Sequence, residues 1–169
     1  MNAGYDVLFV AHVAAGVVGF GAIGAAGYEA RSGLRAADPA HDLALRRFFR
    51  PGVDWAGRVI FLVPLLGLAL LFGGTRPDVS SAWPWIGLAI WLAAAGVATG
   101  GCWPAERAAQ SAMARLVQQS DGGAGREEQG ARPEVLAEEF RRACLRIERS
   151  AGAVSLLFLA AVAVMIAQP

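Results

Sequence analysis

Apolar residues fall along this chain in four long runs, separated by stretches where apolar and polar positions recur at helical spacing. The first run, residues 5–28, reads YDVLFVAHVAAGVVGFGAIGAAGY, and its 21 positions from Val7 to Gly27 hold no polar side chain except His12. A membrane span needs about 20 mostly apolar residues at ~1.5 Å rise each, so the run predicts a transmembrane helix. Comparable runs predict further spans at 53–74, 84–103 and 151–168. Pro64 predicts a kink in the second. Gly96 and Gly100, four apart, give the third a small-residue face for close packing.

Between the runs the pattern is amphipathic. Residues 39–50 set Ala44, Leu45, Phe48 and Phe49 on one face and Arg46, Arg47 and Arg50 on another, and Asp38 with Pro39 resembles a helix start, so a short helix at the membrane surface is expected. Residues 105–119 repeat Ala105, Ala109, Ala112, Met113 and Leu116 at helical spacing, and residues 133–149 repeat Leu136, Phe140, Ala143, Cys144 and Ile147. The first of these continues the third span and the second leads into the fourth, which predicts an antiparallel hairpin outside the membrane. The stretch SDGGAGREEQGAR reads as a polar loop, and TRPDVSSAWPW as a short turn-like link. The expected fold class is an all-α membrane protein: a four-transmembrane-helix bundle, one domain over 1–169, with helices 3 and 4 extending into a cytoplasmic hairpin.

Composition sharpens this. At 56% hydrophobic and 17% charged, the chain departs from soluble domains, which carry about 25% charged residues. A run opening with Asp6 lacks the basic start of a signal peptide and reads as a retained span. All 15 basic residues are arginines, interleaved with 14 acids, so the net charge of +1 gives no nucleic-acid footprint. Six arginines (Arg31, Arg35, Arg46, Arg47, Arg50, Arg58) follow span one, eight lie between spans three and four, and Arg76 alone lies in the other loop. The positive-inside rule then places the Arg-rich loops in the cytoplasm and both termini on the outer face of a bacterial cytoplasmic membrane. Tyr5, Trp83 and Trp85 form the expected outer aromatic belt, and Tyr28, Trp55 and Trp103 the inner one.

His12 is the residue that needs explaining, because an imidazole facing acyl chains loses its hydrogen bonds to water. Ala15, Gly16 and Gly19 share its face, leaving it almost bare of side-chain bulk, so that either another helix or a flat ligand can come close. Helical rise puts His12 and Trp91 each ~10 Å below the outer surface. Met165 lies only slightly shallower, and Gly67, Leu68 and Phe72 approach the same layer. Two readings stay open. In one, the layer is a haem b or metal pocket, with His12 as ligand, Met165 as a soft opposite ligand, Ala15, Gly16 and Gly19 making room, and Trp91 on the wall. In the other, His12 donates a hydrogen bond to a neighbouring helix and the glycines only allow close packing. His41 belongs to a cytoplasmic loop, more than ~20 Å away along the membrane normal, and is no partner for His12.

Other residues carry less chemistry. Arg46, Arg47, Arg50 and Arg58 form a basic surface suited to anionic lipid head groups, and Asp54 with Arg58 reads as an interfacial ion pair. Glu127, Glu128, Glu134, Glu138 and Glu139 read as a solvated set. Cys102 and Cys144 match no metal spacing and read as small reduced core residues. Ser80 and Ser81 have no accompanying base, and Gly122, Gly123 and Gly125 do not follow a strand, so no catalytic residue is assigned. Partners expected are the bilayer and either other membrane subunits or further copies of the chain. A carrier or channel is a third possibility, disfavoured because one ionisable residue in the bilayer core supplies little polar pathway.

A histidine early in a glycine-rich first span, then RVIFLVPLLGLALLFGG, PWIGLAIWLAAAG, an Arg-rich hairpin and a last span ending AVMIAQP resemble an uncharacterised family of bacterial four-span integral membrane proteins over nearly the full length. That family is similar in layout to the copper-resistance D membrane domain and to the haem-carrying membrane protoporphyrinogen oxidase. The resemblance implies that an early first-span histidine is functional, and His12 alone carries over. This chain departs from the enzyme in lacking its wider set of polar span residues, and of the enzyme's features the resemblance carries over His12 and not the catalysis on porphyrins as an expectation.

Overall fold

A computed structural model describes residues 3–73, 81–121 and 132–167, and among them every regular element is helical. The elements are α1 (Ala3–Arg35), α2 (Leu43–Phe48), α3 (Trp55–Arg58), a 3-10 turn (Val59–Phe61), α4 (Leu62–Gly73), α5 (Trp83–Val97), a π-helical stretch (Ala98–Cys102), α6 (Trp103–Asp121) and α7 (Pro133–Ala167). The link at 74–80, with Ser80 and Arg76, and the stretch at 122–131, with Glu127 and Glu128, lie outside the described residues.

Four helices are long and apolar enough to cross a membrane: Ala3–Arg35, Trp55–Gly73, Trp83–Ser120 and Pro133–Ala167. At most 28% of the most apolar window in any of them is buried by the protein itself. Most of their apolar surface therefore points outward, an arrangement that suits a hydrocarbon solvent.

The chain divides into two compact units, which α1 and α7 both enter. Unit 1 comprises Met1–Gly24, Asp54–Ala98 and Ala153–Pro169. Its interior is built on small residues and a few rings: Ala15, Ile23, Ile60, Ala94 and Val154 are buried, and Phe20 stacks on Phe158 with centroids 4.6 Å apart.

Unit 2 comprises Ala25–Val53 and Thr99–Gly152. Every residue of the two seams, Ala105, Ala109, Ala112, Met113 and Leu116 on α6 and Leu136, Phe140, Ala143, Cys144 and Ile147 on α7, is buried. The two helices are tied at the rim by Arg115 and Glu139, 3.7 Å apart. α1 joins them by close approach: a Cβ at Gly27 would lie 2.7 Å from that of Ala151, and one at Gly33 would lie 3.2 Å from the Phe140 ring. This packing explains why α1 runs on to Arg35, past the expected end at Tyr28. Ala26, Ala30 and Gly33 continue its buried face after the side chains turn polar.

Two local readings are corrected. The surface helix is Leu43–Phe48, and its cap is Asp42, whose Oδ1 accepts from Ala44 N at 2.9 Å and Leu45 N at 3.2 Å. Asp38 instead closes a turn, accepting from Ala40 N and from His41 Nδ1 at 2.9 Å. Trp103 is buried in unit 2 and does not stand in an aromatic belt, whereas Tyr5, Tyr28, Trp55 and Trp85 are exposed. The π-helical stretch sits just before Pro104, which has no N–H for the carbonyl four residues back. A register reaching one residue further bypasses that missing donor and keeps the helix continuous.

Candidate functional site

α1 presents His12, Ala15, Gly16 and Gly19 on one face, and protein fills it. A Cβ at Gly19 would lie 2.6 Å from the backbone nitrogen of Ile60, so α1 and the 3-10 turn before α4 meet backbone to backbone. A Cβ at Gly16 would lie 3.9 Å from the Phe158 ring, and Ala15 is buried. Of the two occupants left open for this face, neighbouring helices are the ones present, and no room for a macrocycle remains over Gly19.

His12 itself meets α4. Its Nδ1 lies 2.9 Å from the carbonyl oxygen of Val63. A carbonyl only accepts, so in the neutral ring Nδ1 carries the proton and Nε2 the lone pair. Gly67, one turn on from Val63, admits the ring: a Cβ there would lie 3.1 Å from His12 Cε1 and 3.5 Å from Nδ1. Val63 O can serve both the helix and the imidazole because a carbonyl has two lone pairs.

Trp91 on α5 makes the matching contact, donating Nε1–H to the carbonyl of Ile60 at 2.9 Å, with the Phe61 ring edge-on at 6.1 Å. Ile60 is four residues before Pro64, whose nitrogen has no hydrogen to give. The two carbonyls are three residues apart, ~5 Å of rise, so His12 and Trp91 grip the same turn of the second span. Met165 lies on α7, 37% exposed, while Leu68 and Phe72 point outward.

No group of three or more His, Cys, Asp or Glu gathers among the described residues. A bare divalent ion needs several protein donors. Haem needs only one or two, because the porphyrin supplies four nitrogens. The donor set at His12 is that of a single haem ligand, with the protonated Nδ1 on a backbone carbonyl and the lone pair on Nε2, and a macrocycle would have to lie on the Nε2 side of the ring, because Phe158 and Ile60 cover Gly16 and Gly19.

Both carboxylate oxygens of Asp54 cap α3, accepting from Ala56 N at 3.0 Å and Gly57 N at 3.3 Å. Glu138 lies 2.9 Å from Arg142 and 3.8 Å from Arg141. The His41 ring, hydrogen-bonded to Asp38, holds that exposed carboxyl below its ordinary value. Arg47 and Arg50 are exposed at α2, and Arg46 and Arg58 are half-buried. A backbone carbonyl or side chain on a neighbouring helix was one of the two partners expected for His12, with Val63 not named, whereas the carbonyl of Ile60 as partner of Trp91 was not expected, although Pro64, four residues after Ile60, was its signal. No family model, curated protein or solved structure matches this chain.

Proposed function

We propose that this protein is a multi-pass protein of the bacterial cytoplasmic membrane, with both termini on the outer face. In this reading it binds b-type haem through Nε2 of His12, for electron transfer or haem handling. The observation that carries the reading is the His12–Val63 hydrogen bond, which leaves Nε2 as the lone-pair nitrogen in an apolar layer where few other donors exist. Haem supplies one-electron chemistry when bound. The chain's part is to orient the imidazole through Val63 and Gly67 and to offer Met165 as a second, softer donor. Trp91 serves by fixing the 3-10 turn that leads into α4, the helix against which His12 is held. Haem content of purified His12→Ala tests this: loss of pigment with helicity and unfolding temperature retained is expected, and a fully pigmented variant refutes the ligand.

A second reading, an accessory subunit of a larger membrane complex, is favoured by α5. Gly96 is exposed, and a Cβ there would meet nothing within 4 Å, which leaves room for a partner helix to come close. Co-purification of a second membrane protein at fixed stoichiometry, lost on Gly96→Leu, is the result expected of that reading.

A further inference from the structure

We infer that α2 and the residues following it form a seat for anionic phospholipid head groups, resting on the reading that the chain spans a membrane but not on haem binding. Two side chains hold the segment to unit 2: Leu45 and Phe49 are buried, and Phe49 meets the Phe140 ring edge-on at 5.3 Å. What remains points away from the protein. Leu43 is 77% exposed and Val53 51%, Phe48 is exposed beside them, and interleaved with these are the exposed Arg47 and Arg50.

Residues 43–53, LALRRFFRPGV, hold three arginines and no acid. The acid that precedes them, Asp42, is engaged in capping α2, and the one that follows, Asp54, in capping α3. Among the described residues Arg47 and Arg50 take part in no ion pair, in contrast to Arg141 and Arg142, which share Glu138. A guanidinium binds a phosphate oxygen pair in a planar fork, and apolar neighbours suit the glycerol and upper acyl region of a lipid.

Chain continuity keeps this surface near a bilayer. Arg50 is five residues from the exposed Trp55, which opens the second apolar helix, a separation of at most ~18 Å along the chain. Tryptophan favours the membrane interface. An arginine side chain and a Debye length of about 8 Å cover most of the distance that is left. An anionic head group fits this surface better than a zwitterionic one, whose net charge is zero.

The test is titration of the full-length, detergent-purified protein with phosphatidylglycerol or phosphatidylcholine, counting bound lipid by native mass spectrometry. Wild type should bind phosphatidylglycerol more tightly, and 500 mM salt should collapse the preference towards the phosphatidylcholine level. The double variant Arg47→Gln/Arg50→Gln should weaken phosphatidylglycerol binding about 25-fold, near fivefold per arginine, with phosphatidylcholine unchanged. Arg141→Gln/Arg142→Gln should keep the wild-type preference. Equal affinity for the two lipids, a salt-insensitive preference, an unchanged Arg47→Gln/Arg50→Gln protein, or an equal loss in the Arg141→Gln/Arg142→Gln control would each overturn the assignment. The salt comparison uses the unaltered chain and stands even where a variant fails to fold.

Discussion

Trp91 bonds to the carbonyl whose helical donor position is taken by Pro64. Its indole N–H lies 2.9 Å from Ile60 O, and the residue four places on from Ile60 is the proline. At a break in the backbone ladder of one apolar helix, a side chain of another thus adds a donor beside the Leu62 N–H.

This pairing predicts a non-additive double mutant. Trp91→Phe removes the donor and should destabilise the detergent-solubilised protein by about 1 kcal/mol. Pro64→Ala restores a backbone N–H, so Trp91→Phe should cost less in that background. Denaturation of the four proteins gives the coupling, and strict additivity would show that Trp91 does not serve Ile60 O.

The glycines should divide by what surrounds them. At Gly19 an added methyl meets the Ile60 backbone, which has no rotamer to yield, so Gly19→Ala should destabilise by roughly 1–3 kcal/mol. At Gly96 and Gly100 the space is open, and alanine should be neutral or stabilising by up to about 1 kcal/mol. Thermal melts of the three single variants read the contrast directly.

These glycines also show what the sequence could express. Helical spacing identified the face of α1 that comes close to something, because a stripe of small residues is visible in one dimension. Its occupant was not visible: Ile60 and Phe158 lie far away in sequence and reach Gly19 and Gly16 only through the packing of α4 and α7. The seams of α6 and α7 were legible residue by residue, since amphipathic contrast survives wherever one face meets water. In the spans, where core-facing and lipid-facing residues are equally apolar, that contrast disappears. The start of α2 was misplaced because Asp38 and Asp42 are both competent caps, and which one is used depends on where Leu45 and Phe49 dock.

Cys144 lies in the hairpin part of α7, where burial pushes its thiol up to about 12 from an ordinary 9.0. At pH 8 its thiolate fraction should be roughly 1000-fold below that of a free cysteine, and alkylation of the folded protein correspondingly slow. The unfolded chain loses this proton near 9 while the folded one keeps it to about 12. Stability should therefore fall as pH rises through that window, by at most about 1.4 kcal/mol per pH unit from this group. Cys144→Ala should flatten that slope if the variant folds; a wild-type slope of the opposite sign would contradict the assignment.

The proposed orientation is open to an accessibility test. Cys102 and Cys144 are both buried and give a quiet background. An impermeant maleimide added to intact cells should label Ser81→Cys, and should label Ser111→Cys only after the membrane is opened. The reverse pattern would invert the topology.

The proposed ligation of haem iron by Nε2 of His12 stands or falls on one spectrum: the dithionite-reduced minus oxidised absorption difference of wild-type protein purified from cells supplied with haem precursor. Ligation through Nε2 predicts a sharp Soret shift and a resolved α band, at close to one haem per chain by pigment quantification. A folded, colourless protein after that supply would contradict it, leaving the His12–Val63 bond as packing alone.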